Sequence, residues 1–183
     1  CEMCIRYRTI PLHSIWSSFV TFPHGVWGSG PSKFYEPLAD RFRPLFARIR
    51  EGAAQRDYAR TLPFEEIGWL REAGFTALRV PERFGGAGIG LPEFFALLTE
   101  LAAADSNLPQ ALRSHFAFTE DVLNAPESAL RDAWLQRLGG GELVGGAWTE
   151  IGSAVVGTFG TRVSRTSAGL VLNGRKYYTT GSL

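Results

Sequence analysis

A chain of 183 residues that is 45% hydrophobic and 20% charged can enclose one core, or one core and part of a second. Its formal net charge of +1 leaves no basic excess for neutralising phosphates, so nucleic acid is not an expected partner. No apolar run approaches the roughly 20 residues that cross a bilayer, and no secretory signal is legible around Arg6, Arg8 and Pro11; a cytoplasmic protein without a membrane partner is expected.

Residues 1–32 follow neither the strand nor the helix period and close on Gly28-Ser29-Gly30-Pro31-Ser32, the pattern of a tail outside the fold. Cys1 and Cys4 form a Cys-x-x-Cys, but without the flanking strand and helix of a redox motif or the two further ligands of a zinc site, so no metal is expected. His13 and His24 lie in the same tail and are expected to face solvent. The chain begins with Cys1 rather than Met, as a sequence cut from something longer would.

Organised sequence starts near Lys33. Leu38, Phe42, Leu45, Phe46 and Ile49 recur at helical spacing among arginines and predict an amphipathic helix, with Pro44 as a possible bend. A second helix is predicted over 63–73, opened by Pro63, with Glu65 and Glu66 in its first turn and Gly74 as its stop. After the loop 82–90, Pro92 opens a third. Phe94, Phe95, Leu97, Leu98 and Leu101 make it apolar over most of its circumference and predict burial on several sides.

Asp105-Ser106-Asn107 offers a cap for a fourth helix through Leu112, Phe116, Thr119 and Leu123, and Pro126-Glu127-Ser128 starts a fifth carrying Leu130, Trp134, Leu135 and Leu138. Trp69 and Trp134 are read as core residues. Past Gly139-Gly140-Gly141 the texture changes to Val, Thr and Tyr, and Asn173-Gly174 predicts a hairpin turn between Leu170-Val171-Leu172 and Lys176-Tyr177-Tyr178. The fold class is therefore α+β. A tail over 1–32 precedes an α-helical N-terminal domain over 33–140, and 141–183 begins an antiparallel β-domain. A strand that finishes the chain cannot cover its own edge, so further strands are expected from elsewhere.

The glycine loop at 85–90 invites a phosphate-cradle reading, because backbone N–H groups at a helix start can hold an anion. The spacing does not support it: a dinucleotide fingerprint beginning at Gly86 would need glycine where Leu91 stands, and no Gly-Lys-Ser/Thr follows. The loop reads as a tight connection between helices.

Three stretches in order carry a more specific pattern. Val80-Pro81-Glu82-Arg83-Phe84-Gly85-Gly86-Ala87-Gly88, followed by an apolar helix ending in Ala104-Asp105, resembles the first helical domain of acyl-CoA dehydrogenases. Gly145-Gly146-Ala147-Trp148-Thr149-Glu150 resembles that family's Thr-Glu signature, and Asn173-Gly174-Arg175-Lys176-Tyr177-Tyr178-Thr179-Thr180-Gly181 its Asn-Gly-x-Lys signature. The resemblance spans roughly 33–183. It implies a helical bundle followed by the first strands of an antiparallel β-barrel, with a C-terminal helical domain beyond this sequence that completes the fold, supports a homotetramer and supplies any catalytic base.

The resemblance also implies a flavin, FAD or FMN, against the two signatures, where the ring needs donors and acceptors at its pyrimidine edge and N5 within an apolar slot. By position Thr149, with the backbone around Trp148, would meet the pyrimidine side, Thr180 would hydrogen-bond near N5 and Tyr178 would shield a face; Ser153 and Thr179 are expected among the cofactor contacts. Ordinary strand residues would have the same composition, since Thr and Tyr favour strands.

Departures from the dehydrogenase pattern matter. Glu150 is followed by Ile151-Gly152-Ser153-Ala154 rather than Pro and a Gly-Ser-Asp, and the aromatic before the second Thr is Tyr178 rather than Trp. These features resemble the sister branch of reduced-flavin monooxygenases similar to dibenzothiophene monooxygenase. That branch implies a histidine in the fourth helix near the flavin, here His115, able to act as an acid on a flavin peroxide. A helix-face histidine satisfied by a neighbour is the equal alternative. The expected substrate is a small molecule, an acyl-CoA or a heteroatom-containing compound; Glu150 reads as structural.

Overall fold

Helices form where the apolar spacing begins and stop at the anticipated breakers. In the computed structural model, which describes residues 30–151 and 158–182, they are α1 (Tyr35–Ala59), α2 (Phe64–Glu72), α3 (Leu91–Ala104), α4 (Asn107–Asn124) and α5 (Ala129–Gly139). An antiparallel hairpin follows, β1 (Arg162–Thr166) with β2 (Gly169–Asn173). Most of the expected tail, with Cys1, Cys4, His13 and His24, lies outside the described residues, as does Ser153.

α1 buries Tyr35, Ala39, Phe42, Phe46 and Ile49. Pro44 does not end it: Pro44 and Asp40 both face solvent, where water can satisfy the carbonyl that proline leaves unbonded. Burial of Phe42, Phe46 and Ile49, worth about 1.5–3 kcal/mol each, outweighs the roughly 3 kcal/mol of an interior proline. Gly74, with φ 78, terminates α2 in the left-handed region that favours glycine. Ser128 caps α5, its hydroxyl accepting from the Arg131 N–H.

The core is built around Phe75, which lies in a 3₁₀ turn (Phe75–Ala77) after α2. Its ring meets those of Phe42 at 5.3 Å, Phe46 at 5.7 Å and Phe116 at 6.3 Å, all edge to face. α3 packs between α1 and α4, but not on every side: Phe94, Leu97 and Leu101 are buried while Phe95 faces solvent. Trp69 and Trp134 are half-buried at the margins of the core, where Arg48 and Arg137 lie over their rings. No helix among the described residues is long and apolar enough to cross a membrane.

The hairpin differs from the expected one. Its turn is Ser167-Ala168, closed by the Thr166 hydroxyl, which accepts from the Ala168 N–H and donates to the Gly169 carbonyl. Asn173 instead ends β2 opposite Arg162, and Gly174 is required because a side chain there would meet Thr161 Oγ1 at 2.3 Å. Lys176–Tyr178 does not return along β2; it leaves to pair with residues 146–149.

One buried ion cluster ties the helices together. Arg56 on α1 places Nη1 2.8 Å from Glu66 on α2 and Nη2 2.9 Å from Asp105, ahead of α4, and also donates to the Ile49 carbonyl. The side chains are 15%, 8% and 4% exposed for Arg56, Glu66 and Asp105. The other Asp105 oxygen accepts from the Asn107 N–H and so starts α4. Arg56→Met should therefore leave two buried carboxylates without their cation and destabilise the fold by about 3–5 kcal/mol, read as a lower urea midpoint; an unchanged midpoint would show that water reaches the cluster.

Candidate functional site

α4 carries the site. His115, on the inner face of α4, is buried, and both ring nitrogens reach backbone. Nε2 lies 3.0 Å from the Thr76 carbonyl, which can only accept, and Nδ1 lies 3.4 Å from the Val144 N–H, which can only donate. The pairing therefore assigns the proton to Nε2 and leaves Nδ1 bare. Burial pushes the imidazole pKa below its ordinary value, against the opposing effect of the Thr76 bond. The acid role expected of His115 would require one of these bonds to open.

From Val144 the chain runs directly into the first signature. Gly146 and Thr180 exchange two backbone hydrogen bonds, of 2.7 and 2.9 Å, and the Tyr177 N–H donates to the Thr149 carbonyl at 2.8 Å. The two signatures, read as separate motifs in the sequence, thus form one short antiparallel ladder. It lies close to α4: a side chain at Gly146 would meet Ser114 Oγ at 2.6 Å, and one at Gly181, φ 73, would meet the Ala111 carbonyl at 2.7 Å.

The expected flavin-contacting residues sit on or beside this ladder. Trp148 and Tyr178 are 76% and 80% exposed, and Thr149 and Thr179 also face solvent. Thr180 is half-buried, its hydroxyl accepting from Arg113 Nη2 at 3.2 Å. Thr180 is tied to α4 by its bond to Arg113, and Tyr178, at φ 56, breaks the regular strand geometry beside it. The described residues present an open surface here rather than a closed slot. A cavity of about 320 Å³ adjoins it, lined by Phe64, Ile67, Leu112, His115, Val144 and Gly181 among others, but not by the threonines.

The polar groups on this surface suit a planar heterocycle. Among the described residues the backbone N–H groups of Trp148 and Thr149 have no acceptor, and the hydroxyls of Thr149 and Thr179 add groups that can donate or accept. That donor set matches the needs of a flavin's pyrimidine edge. Glu150 behaves differently. Its carboxylate takes Lys176 Nζ at 2.8 Å and the N–H groups of Gly160 and Thr161, and the Lys176 ammonium leads these contacts in lowering its pKa to about 2. Lys176 also reaches the Trp148 carbonyl at 3.2 Å and lies over the Phe159 ring, which stands 5.3 Å from that of Trp148. Glu150 is a fastener for the segment around Trp148, its carboxylate held ionised by these three donors.

The glycine loop has its N–H groups committed internally: those of Gly86, Ala87, Gly88 and Ile89 bond the carbonyls of Pro81, Ala77, Val80 and Leu78. With these N–H groups taken, the loop is the tight connection its spacing indicated. Sequence reasoning missed two contacts. Lys176 was visible only as a motif letter, and Arg113 offered no signal beyond a cation on a helix whose other face is apolar.

An α-helical domain that seats a paired Thr ladder on its fourth helix defines the class. The chain belongs to the acyl-CoA dehydrogenase family, whose N-terminal domain model matches residues 36–142. Benzylmalonyl-CoA dehydrogenase of Aromatoleum aromaticum is 29% identical over 150 residues, 74% of this chain and 37% of that protein. Dibenzothiophene monooxygenase of Rhodococcus qingshengii is 28% identical over 141 residues, 76% of this chain and 34% of that protein. The FMN-bound TdsC structure from Paenibacillus sp. A11-2 shares the fold, with a TM-score of 0.70 at 23% identity over 80% of this chain and 37% of that one. The chain thus spans about a third of the length of these proteins.

The His115 clamp sets a pH dependence. Because folding lowers the pKa of His115, the folded state binds fewer protons than the unfolded one around that value. The clamp's contribution should be fully present above about pH 6.5 and be lost as pH falls through the lower folded-state value. Urea unfolding of the wild type should therefore show a stability loss on acidification that His115→Gln lacks; equal pH slopes for the two proteins would refute the clamp.

Proposed function

We propose that this chain forms the helical N-terminal domain and the first part of the flavin site of a flavin-dependent oxidoreductase, of the reduced-flavin monooxygenase kind, acting on a small heteroatom-containing molecule. The observation that carries the reading is the ladder itself. Two signatures some thirty residues apart pair through Gly146–Thr180 and Thr149–Tyr177 and leave polar groups on an exposed surface. The bound flavin, FMN or FAD, supplies the electron transfer. The chain's own part is to hold and orient it. The free N–H groups of Trp148 and Thr149 and the hydroxyls of Thr149, Thr179 and Thr180 provide the polar edge, and the rings of Trp148 and Tyr178 offer apolar cover. Glu150 and Lys176 fix Trp148 in place, and His115 fixes Val144 one turn of chain ahead of it. Ser153, read as a further contact, lies outside the described residues.

Two features favour a monooxygenase over an acyl-CoA dehydrogenase. Ile151 and Ala154 stand where the dehydrogenase pattern has Pro and Asp, and Tyr178 where it has Trp. The similarity to benzylmalonyl-CoA dehydrogenase keeps the second reading in play, in which an acyl-CoA is the reductant. A dehydrogenase would have its flavin bleached by an acyl-CoA without oxygen, whereas the proposed enzyme takes electrons from externally reduced flavin.

The chain mixed with FMN or FAD and then desalted should retain flavin absorbance. Thr149→Val with Thr180→Val should weaken binding about thirtyfold, as expected for two hydrogen bonds of roughly 1 kcal/mol each. Flavin washed entirely from the wild type would sink the reading, and anaerobic bleaching by an acyl-CoA would turn it to the dehydrogenase.

A further inference from the structure

Thr180 has little bonding capacity left. Its N–H and carbonyl are both spent on Gly146, and its hydroxyl oxygen accepts from Arg113, across 67 positions of sequence. A guanidinium has five donors and no acceptor, so the direction of this bond is not negotiable. Arg113 donates, Thr180 Oγ1 accepts, and the hydroxyl hydrogen is left for something other than Arg113. Were the arginine absent, the hydroxyl could rotate to donate or accept in any direction.

Among the described residues Arg113 also lacks a carboxylate partner, whereas Arg43, Arg56, Arg79 and Arg137 each hold one or more. It sits on the exposed side of α4, between buried Leu112 and half-buried Ser114. Within the described residues its polar contact is a neutral hydroxyl at the end of the candidate site.

We infer that Arg113 is a positioning residue for the flavin, which fixes the Thr180 hydroxyl as a hydrogen-bond donor toward the ring and supplies the positive charge that favours the anionic reduced ring over the neutral oxidised one. The inference rests on the flavin reading above and deepens it, since it makes the helical domain, and not only the ladder, select the redox state that is bound. An enzyme that takes flavin up already reduced needs such a preference.

The test measures dissociation constants of the 183-residue chain for oxidised and reduced FMN, and for riboflavin, which lacks the phosphate. Wild type should bind the reduced form of both more tightly. Arg113→Met should weaken reduced binding about fivefold more than oxidised binding, the scale of one partly exposed charge contact, and Arg113→Lys should restore the reduced-form preference. In the Thr180→Val background, Arg113→Met should no longer alter binding of the oxidised form. If Arg113→Met, folded by circular dichroism, binds both redox states as wild type does, the inference fails and the flavin reading stands. If Arg113→Met weakens FMN binding equally in both redox states and leaves riboflavin binding unchanged, Arg113 serves the phosphate and the inference fails. If the wild type binds neither flavin, the flavin reading falls and this inference with it.

Discussion

One imidazole on α4 reaches both parts of this protein. His115 takes the Thr76 carbonyl on one side and the Val144 N–H on the other, and these partners belong to different structures. Thr76 lies in the same 3₁₀ turn as Phe75, whose ring is held by Phe42, Phe46 and Phe116, so its carbonyl is fixed by a buried aromatic cluster. Val144 opens the extended stretch that becomes the ladder. Rigidity built by aromatic burial is thereby passed, through one neutral side chain, to the backbone that presents Trp148 and Thr149. The requirement that Nδ1 stay bare makes this joint conditional on protonation, which no apolar contact would be.

Glycine does the complementary task of permitting approach. Gly146 and Gly181 let the ladder lie against Ser114 and Ala111 of α4, and Gly139 lets the end of α5 meet the Phe84 carbonyl, where any side chain would collide. These glycines stand at backbone contacts between segments distant in sequence. In the conspicuous run at 85–90, Gly85 shares the Gly139 contact, and the amides from Gly85 to Ile89 bond carbonyls of residues 77–82 just before the run.

The helices were legible because each depends on a pattern contained within itself: apolar residues every three or four positions, a proline or Ser128 at the start, Gly74 at the stop. What failed depended on partners far away. Asn173-Gly174 has the chemistry of a hairpin turn, yet the stretch after it finds better partners in Gly146 and Thr149, so the turn forms at Ser167-Ala168. Phe95 reads as core by composition, but α3 has neighbours on only part of its circumference. The Arg56 cluster and the Arg113–Thr180 bond join residues 49 and 67 positions apart, and no local period announces such pairs. Within the candidate site, the two signatures stood out as separate stretches, whereas their pairing as one ladder was not legible.

The two parts also differ in how they are held. The helical part closes its own core, from Tyr35 through Phe116. The hairpin buries nothing, and Val163, Leu170 and Leu172 face solvent along it. A two-stranded ribbon without a covered face has little stability of its own. The ladder between them is stabilised from the helical side, through His115, the glycine contacts and Arg113, and from the other side by the Glu150–Lys176 fastener and its contacts with residues 159–161. The signature residues are therefore placed chiefly by α4. It follows that α4, which contains none of the signature threonines, governs their geometry, and that changes in ligand preference can arise from its exposed face without altering a residue of either signature.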